Sequence, residues 1–171
     1  IGFMTRNKKI INRIVGLILI VVAVYYLVFV FGSSIIESAV SGGGPLVDPS
    51  ELEDGGPPKD GIPSIDDPKF VSVSEADSWI EDDELILFLD YGGEKRVYPL
   101  QILVFHEIVN DEVAGDPMLI TYCPLCGSGI AYRPFVDGKV SEFGTTGKLY
   151  NSNLVMYDRN TNTYWTQIDG K

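Results

Sequence analysis

The sequence predicts a single transmembrane helix near the N-terminus, followed by a mainly antiparallel β domain with one or two short helices. Three observations lead there. An uncharged run extends from Ile14 to Ile36 behind a basic start; a Gly-, Pro- and acid-rich stretch follows it; and from Phe70 onward short β-prone runs alternate with tight-turn signals.

The basic tail, residues 1–13, holds Arg6, Lys8, Lys9 and Arg13. The run at 14–36 behind it carries no charge and no polar stripe, which argues against the helix of a soluble domain. About 20 apolar residues match the roughly 30 Å hydrocarbon core of a bilayer. Cations before the run and acids after it place the N-terminus in the cytoplasm and the rest of the chain outside, a single-pass arrangement in the cell membrane. Ala39-Val40-Ser41 is the one candidate for signal-peptide cleavage, but the run exceeds the ~7–15 residues of a signal-peptide core. The lipid bilayer is thus the first expected partner, through residues 14–36.

Residues 37–69 read as a linker. Between Ser41 and Lys69 there are six glycines, six prolines and seven acids, with almost no large apolar side chains. Such a composition buries too little surface to offset its ordering entropy. The acids Asp48, Glu51, Glu53, Asp54, Asp60, Asp66 and Asp67 lack the spacing of an EF-hand loop.

Residues 70–171 suffice for one globular core. The net charge of −11 argues against nucleic-acid binding. Ser74-Glu75-Ala76-Asp77 resembles a capping box opening a short helix with Trp79 and Ile80 on its apolar face. Leu85–Tyr91 and Glu94–Tyr98 form a hairpin across Gly92-Gly93. Pro99 opens a second short helix, Leu100 to Phe105, with His106 at its end. Asn110 to Pro117 reads as a turn-rich stretch, and Met118–Tyr122 as a compact strand. Ile130–Val136 is expected to pair with Lys139–Phe143 across Asp137-Gly138, and Leu154–Asp158 with Thr163–Ile168. No strand–helix alternation suggests a parallel sheet. Asp169-Gly170-Lys171 reads as a turn handing over to a further strand, so the domain is expected to continue past the end of this sequence.

The chemistry concentrates at Tyr122-Cys123-Pro124-Leu125-Cys126-Gly127, which holds the only two cysteines, and at His106, the only histidine. Three readings follow. In the first, Cys123 and Cys126 form a metal knuckle, His106 is the third ligand, and Met118, Met156, Glu107 or solvent supplies a fourth. Two thiolates, an imidazole and a thioether suit copper ahead of zinc or iron, and a closed structural zinc site lacks its fourth Cys or His. In the second, the two thiols cycle between dithiol and disulfide, although Gly127 and Gly129 disfavour the following helix that usually activates such a pair. In the third, they form an inert disulfide, which stabilises little when it closes so small a loop. No phosphate-binding glycine loop and no Gly-x-Ser-x-Gly elbow is present.

Several linked segments carry a resemblance: Asp60-Gly61-Ile62-Pro63, Asp67-Pro68-Lys69-Phe70, Tyr98-Pro99-Leu100, His106-Glu107-Ile108-Val109-Asn110-Asp111, Thr121 through Gly129, and Leu149 through Arg159. Over residues 60–171 the chain resembles the bacterial and archaeal family catalogued as domain of unknown function 3179. The resemblance implies a prokaryotic, exported or membrane-tethered domain, and it brings no established activity. His106 and the Cys-x-x-Cys pair match the family pattern. Family members continue past a segment like Trp165-Thr166-Gln167.

The expectation is therefore a membrane-anchored extracytoplasmic metal-binding protein, holding copper through Cys123, Cys126 and His106. Its role would be metal delivery, electron transfer or that of an accessory subunit alongside other membrane-protein subunits. The alternatives are a non-catalytic interaction subunit with a structural disulfide, and a thiol–disulfide oxidoreductase.

Overall fold

The strand that runs into the cysteine turn organises the fold. In the computed structural model, residue 16 and residues 18–26 and 46–171 are described. In chain order the domain contains β1 (Glu53–Asp54), β2 (Ile65–Asp66), α1 (Val73–Ala76), β3 (Ile86–Tyr91), β4 (Glu94–Pro99), α2 (Leu100–His106), β5 (Ile108–Val113), β6 (Asp116–Cys123), β7 (Ser128–Tyr132), β8 (Phe135–Val136), β9 (Lys139–Val140), β10 (Phe143–Tyr150), β11 (Asn153–Asp158) and β12 (Tyr164–Thr166).

Two four-stranded sheets, ordered β2-β5-β6-β7 and β1-β10-β11-β12, are accompanied by two separate hairpins, β3-β4 and β8-β9. Strand β6 is buried from Met118 to Cys123. Because successive side chains point to opposite faces, its residues serve two cores. Met118, Ile120 and Tyr122 pack with Tyr98 of β4 and Leu103 of α2, and Leu87 and Leu89 of β3 close that cluster. Leu119 and Cys123 pack instead with Phe143 of β10 and with Leu154 and Met156 of β11, next to Trp165 of β12. The domain is thus three layers deep around β6, which is why that strand reads as an unbroken apolar run.

The mainly antiparallel β class and the short helices hold. The hairpin turns on Gly92 and Gly93 at φ 60° and 84°, the paired positive torsions that this two-residue turn requires. Helix α2 starts after Pro99 and ends on His106. Strands β11 and β12 pair antiparallel, Val155 opposite Thr166.

Other elements differ from expectation. The cap of α1 is Ser72, whose side chain accepts from the Glu75 N–H at 3.3 Å, and the helix closes before Trp79 and Ile80. The stretch 110–117 is not mainly turn. Strand β5 continues to Val113, and only Ala114-Gly115 turn, both with positive φ. Ser128–Tyr132 pairs with β6, leaving β8 and β9 as a two-residue hairpin across Asp137-Gly138.

The expected linker 37–69 joins the fold in its second half, since Val47–Lys171 form one compact unit. Strand β1 adds to the edge of β10, with Glu53 opposite Leu149. Strand β2 adds to β5 in parallel, with Ile65 opposite Val109. The segment compensates for its poor apolar content by pairing its backbone with sheet edges and by long-range polar contacts such as Tyr157 Oη to Asp60 at 2.7 Å.

The expected span 14–36 lies largely outside the described residues. Within it, Gly16 and residues 18–26 are helical. Among the described residues no helix is long and apolar enough to cross a membrane.

Candidate functional site

Cys123 closes β6, and the turn Pro124–Gly127 carries the chain into β7. Gly127 sits at φ 60°, in the left-handed region where a side chain is disfavoured, and so completes the reversal. Two residues later Gly129 lies against Leu87, which a Cβ would approach to 2.4 Å. The strand after the turn thus packs against the β3-β4 hairpin, and no helix follows the cysteines.

The two thiols are free and unequal. Cys123 is 1% exposed and points into the sandwich core, with its Sγ 3.7 Å from the Ser152 carbonyl oxygen. Cys126 is exposed. Its Sγ lies 3.0 Å from Ser128 Oγ and 3.2 Å from Asn153 Nδ2, which donates to it. Behind this first ring sits Gln167, fully buried. Gln167 Oε1 is 3.0 Å from Ser128 Oγ and accepts from Asn153 Nδ2 at 2.7 Å. Its Nε2 donates to Thr121 Oγ1 at 3.1 Å and to the Ser128 carbonyl at 3.3 Å.

This environment splits the two titrations. Burial pushes the Cys123 thiol up, and its hydrogen bond to Cys126 pushes the same way. Partial burial also works to raise Cys126. The opposing hydrogen bonds from the Cys123 thiol, Ser128 and Asn153 together outweigh it, so Cys126 falls below the ordinary thiol value. Cys126 is therefore the sulfur that is both reachable and favoured as thiolate.

The expected ligand set is not gathered. Among the described residues no three His, Cys, Asp or Glu side chains form a group able to hold a metal ion. His106 ends α2 with its Nδ1 2.8 Å from the Pro63 carbonyl oxygen, an anchor to the segment before β2. Met118 is core on the hairpin side, and Met156 is core between the sheets, in the same cluster as Cys123. Glu107 follows α2 at φ 59°, and burial raises its carboxyl to about 7. A groove of about 640 Å³, bounded by Phe70, Trp79, Arg96 and Tyr98, opens on the hairpin side and includes neither thiol.

Ser128, Asn153 and Gln167 were not among the residues singled out from the sequence. They lie in Gly127-Ser128-Gly129, Asn151-Ser152-Asn153 and Trp165-Thr166-Gln167, segments of common polar residues with no spacing that ties them to the cysteines. A family model whose description is protein of unknown function (DUF3179) matches residues 59–171. No curated protein matches the chain, and no solved structure does.

Proposed function

The chain belongs to the DUF3179 family of unknown function, and we propose that its domain carries out thiol–disulfide exchange, with Cys126 as nucleophile and Cys123 as resolving thiol. The observation that supports this reading is the inequality of the two sulfurs. An exposed Cys126 is held by Ser128 and Asn153, while its partner three residues away is buried. The thiolate is the attacking species in such chemistry, so lowering one thiol and raising the other assigns the roles. A set of hydroxyl and amide donors around sulfur suits a thiolate more directly than it suits a borderline metal.

The step balances as follows. Cys126 thiolate attacks one sulfur of a substrate disulfide, RS–SR′. The new Cys126–SR bond forms as the S–S bond breaks, and the electron pair leaves on R′S⁻, which takes up a proton. Cys123 then gives up its proton and attacks Cys126 Sγ, releasing RS⁻. One disulfide is reduced to two thiols, and the Cys123/Cys126 dithiol becomes a disulfide. The reverse direction passes through the same mixed disulfide on Cys126. The uncharged run at 14–36 supports carrying this domain outside the membrane on a single anchor. That is an oxidising compartment, where disulfide substrates occur.

The test is reaction with oxidised glutathione and with an aromatic disulfide, followed by intact-protein mass. Wild type should pass through a short-lived adduct to the internal disulfide. Cys123→Ser should stop at a stable mixed disulfide on Cys126, and Cys126→Ser should react at least about tenfold more slowly. Equal labelling of the two cysteines, or no adduct in Cys123→Ser, would overturn the reading.

A further inference from the structure

We infer that Gln167 is the positioning residue of the thiol site and that the Ser128 hydroxyl is a movable donor there, turning from Gln167 Oε1 to Cys126 Sγ when that sulfur carries charge. The inference rests on the thiol-exchange reading and deepens it.

It follows from counting donors and acceptors. Thr121 Oγ1 has a single proton, and this is given to the Ile130 carbonyl at 3.0 Å. Thr121 can therefore only accept from Gln167. The Ser128 carbonyl, the other neighbour on that side, can never donate. Both require an N–H, so the Gln167 amide has one allowed orientation, with Nε2 toward Thr121 and Oε1 toward the thiol site.

Asn153 is fixed independently. Its Oδ1 accepts the Ile168 backbone N–H at 2.9 Å, so its Nδ2 must face the other way. The two protons on Nδ2 then go to Gln167 Oε1 and to Cys126 Sγ. Flipping either amide would set acceptor against acceptor inside a buried site. Such unmatched polar groups are costly.

One proton is left with a choice. Ser128 Oγ lies 3.0 Å from Gln167 Oε1 and 3.0 Å from Cys126 Sγ, and it has one proton for two acceptors. When Cys126 is a thiol, its S–H has two acceptors, Ser128 Oγ at 3.0 Å and the Cys123 carbonyl oxygen at 3.9 Å, and Ser128 donates on to Gln167. When Cys126 is a thiolate, the sulfur has no proton to give and becomes the stronger acceptor. The Ser128 O–H turns to it, and Gln167 Oε1 keeps its bond from Asn153. The Asn153 and Gln167 amides keep their partners, so charge can appear on Cys126 with the turn of the Ser128 hydroxyl and the bond from the Cys123 thiol, while the amide frame stays fixed. Charged acceptors take shorter and stronger hydrogen bonds, and the turn of Ser128 supplies one at the moment it is needed. Ser128 thus touches the reacting sulfur, while Gln167 acts through Ser128 and Asn153.

The experiment is the rate of Cys126 alkylation by iodoacetamide in the full chain from pH 5 to 10, read by peptide mass, alongside the thermal midpoint. Ser128→Ala should move the midpoint of the pH–rate profile upward and slow alkylation at pH 7 by roughly tenfold, the worth of one hydrogen bond to a charged group. Ser128→Thr keeps the hydroxyl and should restore the wild-type profile. Gln167→Met, which fills the space without donors or acceptors, should displace the profile because Ser128 and Asn153 lose the acceptor that orients them, and an unmoved profile would overturn the positioning role of Gln167. A purely structural role would lower the thermal midpoint in Ser128→Ala and leave the alkylation profile in place. That result overturns the inference while the exchange reading stands. A wild-type profile with no preference for Cys126 over Cys123 overturns both.

Discussion

The two faces of β6 are built from one strand and solve opposite problems. Toward the hairpin, Met118, Ile120 and Tyr122 meet Tyr98, Leu103 and Val109, and the polar atoms there sit at the rim. Tyr98 Oη donates to Asp111 at 2.7 Å and Tyr91 Oη to Asp116 at 2.6 Å. Toward β10–β12, Leu119 and Cys123 share their face with buried polar side chains, among them Thr121, Asn153, Thr166 and Gln167. A core that buries polar groups must satisfy every one of them, and once satisfied it fixes their positions closely. The comparison teaches where precision resides. The hairpin face supplies apolar area, and the sandwich face supplies aimed hydrogen bonds to a sulfur.

Substitutions on the two faces should separate stability from thiol chemistry. The largest expected effect is Leu103→Ala on the hairpin face. Leu103 is 1% exposed, and removing such a side chain costs about 2–5 kcal/mol. Urea denaturation should register that loss, while the Cys126 alkylation rate of the folded fraction stays at wild type. Asn153→Leu on the sandwich face should cost less, about 1–3 kcal/mol, by leaving Gln167 Oε1 and the Ile168 N–H with one partner fewer. It should nevertheless slow Cys126 alkylation by roughly tenfold, because a donor to the thiolate is gone. Equal slowing in the two variants would mean that the faces are not independent.

The same division explains what could be read from the sequence. Elements set by local chemistry were legible: the Gly92-Gly93 hairpin, the helix after Pro99, and the apolar strand entering the cysteine turn. Elements set by distant pairing were not. Glu53-Asp54 and Ile65-Asp66 look like linker because their composition is linker-like, yet their backbones pair with Leu149-Lys148 and Val109-Asn110. Asn110 and Asp111 look like a turn, but Asn110 exchanges hydrogen bonds with the Phe143 backbone across the core. At the proposed site, scarcity pointed to the two cysteines. It pointed equally to His106, which is instead tied to Pro63. Besides the Cys123 thiol, the partners of Cys126 are the Ser128 hydroxyl and the Asn153 amide, residue types too common and too widely spaced along the chain to announce themselves.

The smallest expected effect lies at the seam between the faces. The Glu107 carbonyl accepts the Tyr122 N–H at 2.7 Å, one residue before Cys123, and burial alone raises the Glu107 carboxyl from 4.5 to about 7. Below pH 4.5 the carboxyl is neutral in both folded and unfolded chains and contributes no difference. Between 4.5 and 7 the unfolded chain ionises first, the folded chain binds more protons, and stability falls as pH rises. Above 7 the full cost is present. Glu107→Gln removes the ionisation, so it should match wild type at pH 4 and exceed it at pH 8. The gain should be on the order of 1 kcal/mol once partial exposure and solvent screening are allowed for. Hydrogen bonds from Cys123, Ser128 and Asn153 hold Cys126 low, and no charge from Glu107 figures among the causes of its shift. The alkylation profile of Cys126 should therefore be unmoved in Glu107→Gln. A stability gain that is the same at pH 4 and pH 8 would show that the carboxyl is not titrating in this window. A displaced alkylation profile would show that the seam carries charge from one face of β6 to the other.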